Sequence, residues 1–504
     1  MTFLELLEGA EVVTHSDNPT ISGLQYDSRK VGPGDVFLAM RGESSDGNQF
    51  IDLAITAGAV AVVTDSTAEK PRPQVAWAEV LHGRRALAHL SANFHGHPAK
   101  RVAITGITGT NGKSTTAFLL ESILKADNRP AALIATIEYH VCGKVLPAPH
   151  TTPESLELNS LFADALKANT KEIVMEVSSH ALAQERVYGL PFDTAVFTNL
   201  TRDHLDYHHA MDEYFAAKRI LFEGCGTAPP RIAVINVDDD YGKKLSEVSR
   251  REGSEVLTYG LATGDFHVEK VEVNQRGTSF SLVTPEQASP VFSPLIGRVN
   301  IYNIVAASAA AYARSAGSQP IVAGIANLNR VPGRFERIDC GQPFTVVVDY
   351  AHTDDALRNL TQLAREFVKN EKGNVITVFG CGGDRDRAKR PLMGAAAAQN
   401  SDFVILTSDN PRNEDPLAIM NDAVVGLQRS GVKYTMEPDR KLAIGAAIHE
   451  SRPGDIVLIA GKGHEKTQIA GGKVLPFDDV EIARQFLKEL GYACETYSPA
   501  RNSP

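Results

Sequence analysis

Short runs of apolar residues alternate along the chain with longer segments of helical periodicity. This alternation predicts an α/β protein in which mostly parallel strands are covered by helices. Several predicted strands lead directly into a polar cluster, and open sheets of this type bind ligands beyond the carboxyl ends of their strands. We therefore expect the functional site at these polar ends. The apolar runs that lead into them begin at Ile104, Ile173, Ala195, Val346, Val375, Phe403 and Ile456.

The length of the chain predicts more than one domain. A chain of 504 residues is long enough for about three domains of roughly 150 residues each. A polar stretch at 93–98 closes the first block, and the Pro-Gly pair within 331–334 marks a turn or hinge before the last. We predict domains at residues 1–98, 99–331 and 332–504.

Composition and charge narrow the class of protein. Hydrophobic residues make up 43% of the chain and charged residues 22%, which excludes long disorder and a fibrous protein. The net charge of -10 disfavours a nucleic-acid-binding protein. No window approaches about 18 uninterrupted apolar residues, so we expect no membrane span. The start carries Glu5 and Glu8 without a basic stretch, so we expect no secretory signal and a cytoplasmic location. The tail at 498–504 is expected to be disordered.

The cysteines are scattered, odd in number and without a C-x-x-C pair. This pattern disfavours a disulfide scaffold and a zinc ribbon, and it fits a reducing cytoplasm. We expect each cysteine to be a small buried hydrophobic residue. The five are Cys142, Cys225, Cys340, Cys381 and Cys494.

The strongest motif lies at 105–115, Thr-Gly-Ile-Thr-Gly-Thr-Asn-Gly-Lys-Ser-Thr, between a predicted strand and a helix predicted at 116–125. Its glycines let backbone N–H groups turn toward phosphate oxygens, and the helix N-terminus adds partial positive charge. Lys113 is placed to reach terminal phosphates, and the Ser114 hydroxyl is placed to ligate Mg²⁺. Ile107 stands where the usual phosphate-loop pattern has glycine, so this is a variant loop. The alternative is a glycine-rich surface turn.

Two further polar segments follow strands of the middle block. Glu176 ends one strand and is placed to hold Mg²⁺ directly or through water, although a surface glutamate is the alternative. The segment 198–208 is rich in metal-ligand residue types but has no cysteine and lacks the H-E-x-x-H spacing of a zinc site. Two interpretations of this segment remain open: a metal site, and a loop whose polar groups are hydrogen bonded within the protein.

In order along nearly the whole chain, these motifs resemble the ATP-dependent Mur ligases, three-domain synthetases of peptidoglycan precursors related to folylpolyglutamate synthetase. The resemblance implies a small α/β domain that binds a uridine diphosphate sugar, a central P-loop-type ATPase domain with a mostly parallel sheet, and a Rossmann-like domain that binds an amino acid. The motifs run from Asp27-Ser-Arg29 through Gly109-Thr-Asn-Gly-Lys-Ser114, Glu176-Val-Ser-Ser-His180, Thr198-Asn-Leu200, Asp203-His-Leu-Asp206, Tyr214-Phe-Ala-Ala-Lys218, Pro332-Gly-Arg334 and Asp349-Tyr-Ala-His352 to Gly461-Lys-Gly-His-Glu465.

The resemblance assigns two sets of residues to the nucleotide-sugar substrate, UDP-N-acetylmuramoyl-L-alanyl-D-glutamate. One set in the first domain contacts the uridine diphosphate sugar, and the other in the central domain holds the muramoyl peptide. The first set is Tyr26, Ser28, Glu43, Ser44 and Ser45, and the second is Thr151, Thr152, Ser178, Gln184 and Arg186.

ATP as co-substrate and Mg²⁺ as cofactor are implied in the same way. Ser114, Glu176 and His204 match the metal ligands, and Lys113, His204 and Lys218 match the catalytic residues. Lys218 matches a lysine that carries a carbamate, whereas the residues alone favour a solvated helix lysine. The set implied to bind ATP is Gly109, Thr110, Asn111, Gly112, Lys113, Ser114 and Thr115, with Asn300 and Arg334.

The last block resembles the members of the family that add meso-2,6-diaminopimelate. This amino acid has a carboxylate and an ammonium at its far end, whereas lysine has only the ammonium. Arg385 and Arg412 are expected to grip the far carboxylate through forked hydrogen bonds, and Glu465 to pair with the ammonium. Lysine would leave a buried arginine unpaired, although Arg412 alone is more simply a solvent-facing loop residue. The implied set is Arg385, Asp409, Asn410, Pro411, Arg412, Gly461 and Glu465.

The functional hypothesis is amide-bond formation driven by ATP through an acyl phosphate. Substrates on separate domains imply closure, for which 331–334 is the hinge candidate. We expect a monomer that binds small molecules, with no nucleic-acid partner. The alternatives are lysine or another acceptor, glutamate addition to folates, and a nucleotide-dependent switch or binding module without ligase chemistry.

Overall fold

The computed structural model describes residues 1–43, 45–274, 276–368 and 373–494, so Ser44 and the tail at 498–504 lie outside the described residues. The described chain forms three α/β units, each with its own sheet, and the predicted α/β class with mostly parallel strands is confirmed. None of the described helices is both long enough and apolar enough to cross a lipid bilayer.

The first unit is built on a five-stranded sheet. Its strands are β1 (Val12–His15), β2 (Gly23–Gln25), β3 (Asp35–Ala39), β4 (Ala61–Thr64) and β5 (Ala76–Val80). They lie in the order β1-β5-β4-β3-β2, with β1 antiparallel to β5 and the other pairs parallel. Because side chains alternate along a strand, Val36 and Leu38 pack on one face and Phe37 on the other. The helices are α1 (Phe3–Leu6), α2 (Ile51–Thr56) and α3 (Gly83–Phe94).

The central unit is built on an eight-stranded sheet. Its strands are β6 (Ala103–Thr108), β7 (Ala131–Ile134), β8 (Glu138–Val141), β9 (Lys144–Pro147), β10 (Glu172–Glu176), β11 (Phe192–Phe197), β12 (Ile232–Asn236) and β13 (Glu255–Tyr259). The order is β13-β12-β11-β6-β10-β7-β8-β9, parallel as far as β7 and antiparallel in the last two pairs. A separate antiparallel sheet contains β14 (His267–Asn274), β15 (Gly277–Val283) and β16 (Ala288–Ser293).

Helices cover both faces of the central sheet, which explains why its strands are apolar on both sides. One buried cluster unites α4 and α10 with the sheet, and a second unites α5 and α8 with the opposite face. The helices are α4 (Lys113–Ala126), α5 (Ser155–Lys167), α6 (Ser179–Ala183), α7 (Leu205–His208), α8 (Met211–Glu223), α9 (Asp240–Arg251), α10 (Arg298–Ala313) and α11 (Ser318–Asn327).

The last unit is a doubly wound sheet followed by a hairpin. Its strands are β17 (Glu336–Ile338), β18 (Thr345–Asp349), β19 (Val375–Phe379), β20 (Phe403–Leu406), β21 (Lys433–Met436) and β22 (Ile456–Ala460), with β23 (Thr467–Ala470) and β24 (Lys473–Pro476) in the hairpin. The order is β17-β18-β22-β19-β20-β21, with β17 antiparallel and the other pairs parallel. The helices are α12 (Asp354–Val368), α13 (Lys389–Gln399), α14 (Pro416–Ser430), α15 (Arg440–Glu450) and α16 (Asp479–Glu489).

The helix predicted at 116–125 is longer in the structure. It begins at Lys113, because Gly112 has φ +87 and ends the loop at that point. Lys113 and Ser114 therefore stand in the first turn of a 14-residue helix. The predicted boundaries of the three domains stay predictions.

The cysteines differ from expectation in three cases. Cys225 and Cys381 are buried and unpaired as expected, but Cys142 is exposed. Cys340 and Cys494 form a disulfide, with Cα atoms 4.0 Å apart, so the expectation that they are unpaired is wrong. The fold brings the end of β17 next to the residues after α16 across a separation of 154 residues, which spacing along the chain does not reveal.

Candidate active site

Two glycines shape the turn between β6 and α4. Gly109 has φ +147 and Gly112 has φ +87, in the region that favours glycine. A Cβ atom at Gly109 would collide with Thr198 Oγ1, and one at Gly112 would collide with Asn303 Oδ1. The turn therefore needs glycine for both its conformation and its close packing. It lies at the N-terminus of α4, which is the geometry that binds phosphate.

Two lysines converge on one carbonyl oxygen of this loop. Lys113 Nζ donates to Gly109 O at 3.0 Å, and Lys218 Nζ donates to the same oxygen at 2.8 Å. Desolvation lowers the pKa of both ammonium groups, and at Lys218 the neighbouring charge of Lys113 lowers the pKa further. Lys218 is buried and lies over the Tyr214 ring, so its interpretation as a solvated helix lysine is wrong. Both lysines are held by backbone carbonyl oxygens, and the described contacts include no carboxylate partner for either side chain.

Glu176 ends β10 and pairs in register with Ile107 of the phosphate-loop strand. It is fully buried, so its interpretation as a surface glutamate is wrong. Its carboxylate accepts hydrogen bonds from the Thr136 N–H at 2.8 Å and the Thr136 hydroxyl at 2.9 Å. Within the described ranges, no group of three or more His, Cys, Asp or Glu residues is able to hold a metal. Mg²⁺ takes few protein ligands and prefers oxygen, which the Glu176 carboxylate and Ser114 hydroxyl both supply.

The residues matched to the muramoyl peptide form one hydrogen-bonded group beside Glu176. Ser178 caps α6, and its side chain accepts from Ala181 N–H. The five residues therefore occupy one region next to the phosphate loop. The bonds that join them run from Thr152 Oγ1 to Glu176 O (2.9 Å), Ser178 N to Thr152 Oγ1 (3.0 Å), Arg186 Nη1 to Thr152 O (3.0 Å), Arg186 Nε to Gln184 Oε1 (3.0 Å) and Thr136 Oγ1 to Thr151 Oγ1 (3.1 Å).

His204 and Asp203 connect the central unit to the last one. Asp203 is buried and lies 3.4 Å from His204 Nε2, 3.9 Å from His352 Nε2 and 3.6 Å from Lys389 Nζ. Burial alone would raise the pKa of Asp203, but these three groups together hold it below its ordinary value. Desolvation lowers the pKa of His204 and outweighs the attraction of Asp203, so its imidazole is neutral and able to ligate a metal.

The last unit also contacts the phosphate loop directly. Arg334 Nη2 donates to the Ser114 hydroxyl at 3.3 Å, and the Arg334 guanidinium lies 4.5 Å from the centre of the Tyr350 ring. Asn111 Nδ2 donates to Asp355 Oδ2 at 3.2 Å. Arg334 therefore lies at the first turn of α4, next to the phosphate loop, and its assignment to ATP stays a prediction. The proposed hinge at 331–334 is a tight turn in which Arg334 N donates to Val331 O at 3.1 Å.

A cavity of about 190 Å³ opens next to Arg334. Asn300 lies in its wall and donates to Ile296 O at 2.8 Å. The cavity is therefore part of the same region as the phosphate loop, in line with the assignment of Asn300. Its other lining residues include Leu295, Asn329 and Phe335.

The residues matched to diaminopimelate come from the carboxyl ends of three parallel strands, β19, β20 and β22. Arg412 has φ +53, and its Nη1 donates to Gly383 O at 2.6 Å. Partial burial, followed by the charge of Arg385, lowers the pKa of Arg412. A Cβ atom at Gly382 would lie 3.0 Å from Arg412 Nη1 and 3.7 Å from Arg385 Cγ, so the two side chains lie close to each other. A Cβ atom at Gly461 would approach Asp409 Oδ2 to 2.6 Å. The structure thus brings these residues together.

Glu465 is already paired. Its Oε2 accepts from Lys462 Nζ at 3.0 Å and from Asn410 Nδ2 at 2.9 Å, and Lys462 is fully buried. Asn410 Oδ1 accepts from the same Lys462 ammonium at 3.0 Å. Lys462 belongs to the motif at 461–465, but nothing in the sequence pattern indicated that its side chain would be buried against Glu465 and Asn410.

Side chains of the first unit contact the central unit at several points. Burial, followed by a hydrogen bond with the Glu43 carboxylate, raises the pKa of Tyr207 in the central unit. The Tyr26 hydroxyl donates to Glu157 Oε1 at 2.9 Å, and Ser28 begins a short 3₁₀ helix. The interdomain ion pairs are Arg84–Glu154 at 3.1 Å and Arg85–Glu185 at 2.8 Å.

Fold and site together define a three-domain α/β protein with a phosphate-binding loop facing an arginine-lined site. Family models match in the same order as the three units. They are described as Mur ligase family, catalytic domain (residues 20–95), Mur ligase middle domain (107–311) and Mur ligase, glutamate ligase domain (333–463). The chain belongs to the Mur ligase family, and the predicted resemblance is confirmed.

Individual relatives support the same assignment. UDP-N-acetylmuramoyl-L-alanyl-D-glutamate--2,6-diaminopimelate ligase of Solibacter usitatus (strain Ellin6076) is 54% identical and covers 94% of each chain. A solved structure of a ligase with that name is 33% identical, has a TM-score of 0.67 and covers 98% of this chain and 100% of its own. The MurF ligase of Thermotoga maritima in complex with ADP is 19% identical and has a TM-score of 0.65. The match covers 94% of this chain and 98% of that one, and at this low identity it shows the shared fold alone.

Proposed function

We propose that this ligase joins meso-2,6-diaminopimelate to UDP-N-acetylmuramoyl-L-alanyl-D-glutamate, at the expense of ATP, in the synthesis of peptidoglycan precursors. The observation that carries the proposal is the pair of neighbouring side chains, Arg385 and Arg412, on either side of Gly382 and beside the Lys462–Glu465 pair. Two arginines fit an acceptor with an additional carboxylate. The Solibacter relative, at 54% identity, is named for this activity.

Activation of the peptide carboxylate would take place at the phosphate loop. Residues 109–115 would hold ATP, with the base in the cavity beside Asn300. A carboxylate is a poor electrophile and must be activated before an amine can attack it. Its oxygen would attack the γ-phosphorus of ATP, ADP would leave, and an acyl phosphate would form. Lys113 and Arg334 would neutralise the charge that develops during transfer. The neutral amine of the acceptor would then attack the carbonyl carbon, and orthophosphate would leave.

Ser114, Glu176 and His204 would hold Mg²⁺ beside the nucleotide. When bound, the ion supplies positive charge at the phosphate oxygens. The buried Glu176 carboxylate is fixed by Thr136, and the imidazole of His204 is kept neutral by desolvation. Desolvation thus leaves the His204 imidazole in the form that ligates a cation, and Thr136 fixes the Glu176 oxygens in place.

Lys218 would carry a carbamate. The neutral amine is the form that reacts with CO₂: a nitrogen–carbon bond forms and the nitrogen releases a proton. The lowered pKa of Lys218 favours this neutral form, and the buried position limits hydrolysis. The product is an anion next to Lys113, whose cation it would balance.

Each of the three domains contributes to the proposed site, so one chain supplies every residue that the reaction needs. The first contributes the nucleotide-sugar residues, the second the phosphate loop, and the third the arginines. We therefore propose that the protein acts as a monomer. We also propose a cytoplasmic location, because the nucleotide sugar and ATP would be available to the enzyme there.

The test is an end-point assay with the nucleotide sugar, ATP and a panel of acceptors that contains meso-diaminopimelate and L-lysine. We expect ADP release that depends on both the nucleotide sugar and diaminopimelate. Nucleotide sugar labelled with ¹⁸O in the D-glutamate carboxylate that forms the new amide should pass one label into orthophosphate. Preference for lysine would assign the other acceptor, and phosphate release without any acceptor would support a nucleotide-dependent switch instead.

A further inference from the structure

The two loops that carry Arg385 and Arg412 are joined by hydrogen bonds. Gly383 N donates to Asn410 O at 2.9 Å, and Asn413 Nδ2 donates to Asp384 Oδ2 at 2.9 Å. The Asp384 N–H donates to the Glu414 carboxylate. A Cβ atom at Gly383 would collide with Pro411 O, so the loops are also in close contact. They form one unit although they follow different strands.

Two residues of this unit adopt a conformation that is unfavourable for side chains other than glycine. Asp384 has φ +51 and Arg412 has φ +53, so both lie in the left-handed region. Such residues persist only where the surrounding structure fixes them, and they concentrate at ligand sites. The first directly precedes Arg385, and the second is the other arginine itself. The directions of both guanidinium groups therefore depend on what holds the loops.

Arg390 provides this support from beneath the loops. It is 1% exposed and donates to Glu414 through two bonds, Nη2 to Oε1 at 2.7 Å and Nη1 to Oε2 at 3.0 Å. The same guanidinium donates to Gly382 O at 3.3 Å and to Asp422 at 2.9 Å. Arg390 thus connects the loop of Arg385, the loop of Arg412 and helix α14. The Arg390 guanidinium also lowers the pKa of the Glu414 carboxyl to about 2, which keeps the pair charged.

We propose that Arg390, acting through Glu414, is a positioning residue that holds Arg385 and Arg412 together before the far carboxylate of diaminopimelate arrives. Two guanidinium groups repel each other unless an anion lies between them, so a separate structure must keep them in place. A site that is already assembled binds its ligand without the cost of ordering it. Because lysine lacks the far carboxylate, only diaminopimelate gains affinity from the positioned arginines. Arg390 and Glu414 therefore contribute to selectivity between the two acceptors. This inference rests on the proposed function.

The test compares steady-state kinetics of the wild type, Arg390→Lys and Glu414→Gln. Lysine carries a point charge and cannot replace a planar group that contacts four acceptors, so the loops should loosen. We expect KM for diaminopimelate to rise about tenfold or more. The ratio of kcat/KM for diaminopimelate to that for lysine should fall by a similar factor. KM for ATP and for the nucleotide sugar should change by less than about twofold, because the residues assigned to these two substrates lie on other segments.

Arg387→Ala is the matched control. Arg387 also donates to Asp422, at 3.2 Å, but its side chain is 68% exposed and it makes no bond to Glu414 among the described contacts. It should leave all three KM values unchanged. Equal rises in KM for every substrate, or an unchanged acceptor ratio, would overturn the inference. Thermal unfolding checks each variant, and Glu414→Gln decides the question if Arg390→Lys does not fold. A wild type without diaminopimelate-dependent ADP release would instead refute the proposed function.

Discussion

The phosphate loop and the paired arginine loops both gather cations, but they do so in different ways. At the phosphate loop, Lys113 lies in one contiguous segment shaped by glycine, and it donates to the carbonyl oxygen of Gly109 together with Lys218 from α8. At the arginine loops, the cations lie in two segments about 30 residues apart along the chain, and Arg390 joins these through the carboxylate of Glu414.

The difference follows from what each region has to recognise. A triphosphate presents several negative charges, and backbone N–H groups with one or two lysines suffice to hold it. Two amino acids that differ by a single carboxylate can be distinguished only if the receiving groups are fixed in advance. Buried ion pairs supply this fixed geometry at the arginine loops.

Removal of the loop lysine should produce the largest effect. Lys113→Ala takes away a charge that would act on the transferred phosphoryl group, so we expect kcat to fall about 10³-fold. Binding of the nucleotide sugar should persist, because its residues lie on other segments. Rapid-quench measurement of acyl phosphate formation checks this, with the exposed Lys125→Ala at the end of α4 as the control. A loss confined to the second, amine-dependent step would contradict the role given to Lys113.

Removal of one arginine should have a smaller and more selective effect. In Arg412→Ala the far carboxylate loses a forked partner, and we expect kcat/KM for diaminopimelate to fall about 10²-fold. KM for ATP should stay within about twofold, since the nucleotide lies at the other region. The exposed Arg429→Ala on α14 serves as the control. An unchanged rate with diaminopimelate would show that the arginine loops do not read the acceptor.

The same contrast explains what the sequence could and could not predict. The phosphate loop could be predicted because its strand, glycines, lysine and helix follow one another along the chain. Arg385 and Arg412 were found through their resemblance to a family, not through spacing. Arg390 could not be found, because its partner Glu414 lies 24 residues away and only the packing of α13 against α14 brings them together.

Contacts between domains were beyond sequence patterns for a related reason. Asp203 lay within a segment rich in ligand residue types, but its neighbours His352 and Lys389 come from two other segments of the last domain. The strand-end rule did point to the region of His352, which follows β18. Periodicity predicts the sheet and its polar edge, but it does not predict how two sheets approach each other.

His140 is a charged group outside both regions, and its substitution should change stability without changing activity. His140 on β8 is hydrogen bonded through Nδ1 to Glu121 at 2.7 Å and through Nε2 to Glu138 at 2.9 Å. Burial alone would lower the pKa of His140, but the two carboxylates raise it to about 9. Among the described contacts, Lys113, Arg385 and Arg412 are held by carbonyl oxygens, whereas His140 is held by two carboxylates. The charged His140 should therefore stabilise the fold.

His140→Gln should therefore lower the free energy of unfolding in a manner that depends on pH. The pKa is higher in the folded state, about 9, than the value near 6.5 of an unfolded histidine, so the stabilisation is fully present below about pH 6.5. It is lost as the pH rises through about 9. We expect the variant to be less stable by about 1–3 kcal/mol at pH 6 and close to the wild type at pH 10. Urea unfolding at both pH values measures this, with the exposed His15→Gln as the control.

A difference in unfolding free energy between wild type and variant that stayed constant with pH would show that the imidazole is not held charged by Glu121 and Glu138. Because His140 contacts neither site, KM for ATP and for diaminopimelate should remain unchanged, and the loss would be one of stability alone.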